Sequence, residues 1–112
     1  MPKYLLLLHG DEDGELALTD DERRAIVDGH RALIGELAAA GTLVASEALT
    51  EASRARVVRN GSVTDGPFAE TKEVVGGFYV VACAGDDEAV AVAKRIPASP
   101  GLAVEVRPVA DM

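Results

Sequence analysis

The chain has 112 residues, of which 48% are hydrophobic and 27% charged, and carries a formal net charge of −8 at pH 7. Residues 1–112 fit one domain, long enough to bury roughly two thirds of the surface exposed by the unfolded chain. The acid excess argues against a nucleic-acid or anionic-membrane surface, since both need clustered positive charge to displace counterions. Residues 4–8 (YLLLL) form an apolar run without alternation, the pattern of a central strand covered on both faces. Met1-Pro2-Lys3 ahead of so short a run is no secretory leader, and no segment reaches bilayer length, so a cytoplasmic location is expected. Residues 9–14 follow as a turn rich in Asp and Gly.

Thr19 with Glu22 three residues on makes a capping box, and Asp20 and Asp21 suit the positive end of a helix dipole. Over 20–40 the apolar residues Ile26, Leu33, Ile34 and Leu37 recur at helical spacing with His30 among them, giving a helix about 30 Å long. Gly41 ends it, and 42–48 resumes as a strand. Residues 54–59 and 62–64 flank Asn60-Gly61, the dipeptide of a tight primed turn, and predict a hairpin. Arg54, Arg56 and Arg59 make it either a charged edge or an anion site. In 65–73 (DGPFAETKE), Gly66-Pro67 stops the strand, and Glu70, Thr71, Lys72 and Glu73 gather two acids, a hydroxyl and an ammonium. Such a loop is a functional rim or a solvated bend. Residues 77–84 give a second apolar strand, with Phe78, Val80 and Ala82 to one side and Tyr79, Val81 and Cys83 to the other. Cys83, the sole cysteine, reads as a small buried hydrophobe, since no cation stands near to activate it. A shorter helix runs from Asp86-Asp87-Glu88 to Lys94-Arg95 before Pro97, and 102–106 gives a last strand.

Strand, helix, strand, hairpin, strand, helix, strand is the order of an α+β ferredoxin-like plait, an antiparallel sheet with two helices on one face. Because the innermost strands are apolar on both faces, the uncovered face would leave a large patch in water. A homodimer packing sheet on sheet is therefore expected.

The nonapeptide 65–73, with Gly76-Gly77-Phe78-Tyr79 after it, resembles the DGPF group of the YCII-related family, and the similarity extends to 7–12 (LLHGDE) and 104–109 (VEVRPV). The resemblance implies a dimeric α+β barrel and an association with extracytoplasmic-function sigma factors. It also implies a His-Asp pair, carried here by His30 with Asp11, or with Asp65 as the rival partner. His9 stands where relatives often carry an aromatic, which leaves open which histidine does chemistry.

His30 lies on the apolar stripe of its helix, where desolvation favours neutral imidazole, a credible proton acceptor when a carboxylate fixes its tautomer. The competing reading is a core histidine bonded to a backbone carbonyl. The expected function is proton transfer on a small molecule, as in an elimination, isomerisation or hydrolysis, with His30, Asp11 and Asp65 as catalytic candidates and His9, Phe68, Glu70 and Lys72 as ligand-binding candidates. A non-catalytic ligand-binding or regulatory module working with a sigma factor is the alternative. No cofactor is expected, and no metal: the two histidines lack ligand spacing, and 11–14 (DEDG) does not continue as a calcium loop.

Overall fold

Alternation along the strands decides which face of the sheet is covered. In the computed structural model, which describes every residue except Glu70, β1 (Lys3–Asp11) leads through α1 (Glu12–Leu16) and α2 (Asp20–Ala39) to β2 (Leu43–Ala48). A one-turn 3-10 helix (Ala52–Arg54) precedes a hairpin of β3 (Arg56–Arg59) and β4 (Ser62–Asp65). The chain then continues into β5 (Glu73–Ala82), α3 (Asp86–Ala93) and β6 (Ala103–Pro108). The sheet order is β2-β5-β1-β6, with every pairing antiparallel, and the hairpin stands apart as its own two-stranded ribbon. This is a ferredoxin-like α+β arrangement.

Tyr4 and Leu6 from β1 and Tyr79 and Val81 from β5 point to one face, where they pack with Cys83, Leu33 and Leu37 of α2, and Ala89 and Val92 of α3. Both longer helices therefore cover the same side. The alternate residues Leu5, Leu7, Phe78 and Val80 remain half-buried on the opposite side. The Tyr4 hydroxyl donates to Asp86 Oδ1 at 2.9 Å, tying β1 to the first turn of α3, and the Arg95–Glu36 ion pair joins the end of α3 to α2.

The start of α2 follows its sequence signature. The Glu22 N–H donates to Thr19 Oγ1 at 3.1 Å, and the Thr19 N–H donates to Glu22 Oε1 at 2.9 Å. Asn60 and Gly61 have φ of 49° and 83°, the positive angles a tight primed turn demands.

Residues 9–14 form no simple turn. β1 runs on to Asp11, and a short helix begins at once. β5 likewise starts at Glu73, because Glu73, Val74 and Val75 pair with Asp11, Gly10 and His9. The register jumps from Leu8↔Gly77 to His9↔Val75, leaving Gly76 as the extra residue of a bulge. Gly14 serves packing: a Cβ there would lie 2.7 Å from Pro100 Cβ. Together these features fold the β1–α1 corner onto the loop that precedes β6, and the candidate site lies beside that corner.

Candidate functional site

His30 reaches the sheet from the inner face of α2. Its Nδ1 lies 2.6 Å from the Tyr79 hydroxyl, and the two rings stack with centroids 5.9 Å apart. Tyr79 sits on the core side of β5 opposite Ser46 of β2. Burial pushes the Tyr79 phenol up, while a hydrogen bond with Ser46 pulls the other way. Desolvation also holds the His30 imidazole below its ordinary 6.5. At neutral pH the pair is therefore a neutral imidazole against a protonated phenol.

Two proton arrangements satisfy this contact. Either Tyr79 donates to Nδ1 and Nε2 carries the hydrogen, or Nδ1–H donates to the phenol oxygen and Nε2 is a bare acceptor. Among the described residues Nε2 has no hydrogen-bond partner, and His30 lines a cavity of about 440 Å³. That volume lies within the range of small-molecule sites.

The cavity lies between α1, α2 and the 49–51 segment that follows β2. Leu8, Leu16, Ile26 and Leu49 supply much of its apolar wall. Glu12, Glu15, Glu51 and Arg23 supply its charges. Glu12 is held in place, since its Oε1 accepts the Ala52 N–H at 2.9 Å. Burial first, then the neighbouring charges of Glu12 and Asp11, push the Glu15 carboxyl up from 4.5. Arg23 donates to the Glu15 carbonyl oxygen at 3.1 Å, lies 3.9 Å from Asp20 and pulls the Glu15 carboxyl the other way.

The residues singled out by sequence divide between two places. Neither Asp11 nor Asp65 is among the described residues lining the His30 cavity. Asp11 precedes α1, and its N–H donates to the Pro100 carbonyl at 3.0 Å. Asp65 is exposed at the end of the hairpin, opposite Arg56. The ring nitrogen of His30 thus meets a phenol where a carboxylate was expected.

Phe68 and Lys72 line a second hollow of about 730 Å³, with Pro67, Val74 and Val75. Phe68 is 75% exposed, under the Arg59 guanidinium at 5.3 Å, so it does not plug the core. His9 borders both hollows, with Nε2 3.2 Å from Glu105 Oε1 on β6. Glu70 falls outside the described residues. Among the described residues no group of three or more His, Cys, Asp or Glu side chains is placed to hold a metal ion. None of their helices is long and apolar enough to cross a membrane.

Sequence reasoning missed Tyr79, Glu12, Glu15 and Arg23 as site residues. A signal for Tyr79 existed: it is the polar-tipped residue on the side of β5 shared with Val81 and Cys83, which is where a histidine on the inner stripe of α2 must point. Glu15 carried none, because the helix that positions it begins inside residues 9–14, whose composition reads as a turn.

The YCII-related domain model matches residues 3–112. The chain is also 34% identical, over 113 aligned positions, to an uncharacterised protein of Rhizobium meliloti (strain 1021), covering 96% of this chain and 91% of that one. A match across almost every residue, with a full-length relative beside it, establishes that this protein belongs to the YCII-related family.

Proposed function

We propose that the cavity beside α2 is a small-molecule site in which His30 exchanges a proton with the bound molecule while Tyr79 holds the ring. The observation that carries this reading is the 2.6 Å contact between Nδ1 and the Tyr79 hydroxyl, which leaves the other ring nitrogen for the cavity. Burial keeps the imidazole neutral at pH 7, and in the tautomer whose Nδ1–H donates to the Tyr79 oxygen, Nε2 accepts a proton; the imidazolium so formed is a stronger acid than an exposed one and returns the proton readily. Taking a proton from one atom and giving it to another is the chemistry of an isomerisation or elimination. Delivering it to a leaving group serves a hydrolysis. The test is to identify the small molecule that copurifies with the full chain by mass spectrometry, then measure its binding to the wild type and to His30→Ala. A loss of about tenfold or more is expected, and unchanged affinity overturns the site.

A second, non-catalytic reading draws on the absence of Asp11 and Asp65 from the described cavity lining. In that reading the cavity only holds a ligand, and the exposed hairpin carrying Val58 and Val63 is the contact surface of a regulatory module that works with an extracytoplasmic-function sigma factor. Deuterium from solvent appearing at carbon in the copurified molecule favours the enzyme, whereas binding without exchange or turnover favours the module.

Both readings take the protein to be a homodimer. The half-buried apolar residues on the side of the sheet away from the helices support that assembly, since a second sheet packed there would remove them from water.

A further inference from the structure

We infer that the ligand of the His30 cavity is an organic cation, an amine with an apolar body. This rests on the reading of that cavity as a small-molecule site and adds the chemical class. The cavity itself is defined by its volume and by His30; the charges around it set the sign of what it accepts. Three carboxylates, Glu12, Glu15 and Glu51, line it against one guanidinium, that of Arg23, among the described residues. Arg23 is engaged with the Glu15 carbonyl and lies near Asp20, and His30 and Tyr79 are neutral near pH 7. The described walls therefore carry more negative than positive charge. Glu12 cannot simply swing into solvent, because it caps the Ala52 N–H.

Glu15 points the same way. It is half-buried, and burial first, then the charges of Glu12 and Asp11, push its carboxyl up, with Arg23 offsetting only part of this. An ammonium entering the cavity would relieve that repulsion and make charge-assisted hydrogen bonds with the carboxylates. An anion would meet the half-buried Glu12 and Glu15 and the exposed Glu51, all of its own sign. Meanwhile the leucines and Ile26 give the rest of the ligand an apolar seat.

Three probes of one shape separate the possibilities: cyclohexylmethylamine, cyclohexylmethanol and cyclohexanecarboxylate, each titrated into the full chain by isothermal calorimetry and followed by NMR of the His30 ring. The amine should bind about tenfold or more tighter than the alcohol, with the carboxylate weakest. Glu15→Gln should erase most of that preference while leaving alcohol binding in place, and Arg23→Gln should strengthen amine binding. An alcohol or carboxylate that binds as tightly as the amine and shifts the His30 ring sinks the cation class but spares the cavity. If no probe shifts the His30 ring, both the class and the site reading fall. A preference that survives Glu15→Gln and is untouched by Arg23→Gln also overturns the proposal, since the named charges would not be its source.

Discussion

At the scale of single residues the site works against the fold that holds it. Burial keeps the folded-state pKa of His30 below the 6.5 of the free side chain, so below that pH the unfolded chain takes up a proton that the folded chain resists. The contribution is therefore intact above pH 6.5 and is lost as pH falls toward and through the lowered value. Urea titrations across that window should show stability falling with pH in the wild type, and His30→Gln should flatten the slope. An identical slope in the variant would mean the ring is not desolvated. Glu15 behaves in the opposite sense. Its folded-state pKa is raised above 4.5, so the unfolded chain ionises first as pH rises, and the folded chain is penalised at neutral pH. Without a ligand, Glu15→Gln should raise the melting temperature at pH 7 and lose that advantage near pH 4. A lowered melting temperature at pH 7 would show that the carboxylate is satisfied within the protein.

At the scale of elements, local signals act independently and were legible where they acted alone. The capping box at Thr19 fixes the start of α2, and with it the turn on which His30 falls. Thr19→Ala should cost about 1 kcal/mol of stability by denaturant unfolding, and no change would mean that the Glu22 side chain alone holds the helix end. Asn60-Gly61 fixes the hairpin in the same local way, and the alternation of Tyr79 and Val81 against Phe78 and Val80 gives the faces of β5. The β1–α1 corner was not legible, because its glycine answers to a distant residue. Gly14 looks like a turn former in sequence, yet it is required by Pro100, far along the chain. For the same reason β5 begins earlier than its apolar run: Glu73 belongs to the strand through its partner Asp11. The candidate site was half legible. The direction of His30 follows from the spacing of α2, but its phenol partner and its acid neighbours depend on tertiary contacts, and the loop richest in chemical groups borders a different hollow.

At the scale of the whole molecule, one face of the sheet is covered by helices and the other carries half-buried apolar side chains. Pairing through that open face predicts a species of twice the 11.6 kDa chain mass in sedimentation velocity at micromolar concentration. Leu7 lies opposite Phe78 and Glu105, so Leu7→Glu would set two like charges side by side at the centre of such an interface. That variant should sediment as a monomer; a wild type that is itself monomeric removes the dimer. The cavity beside α2 lies toward the helices, so its chemistry depends first on the contact between His30 and Tyr79. A long-range ¹H–¹⁵N NMR titration of the His30 ring in the full chain reads that contact directly. The predicted result is a midpoint below 6.5, with a single neutral tautomer that becomes a mixture in Tyr79→Phe. A midpoint at or above 6.5, with the same tautomer signature in both proteins, would contradict it.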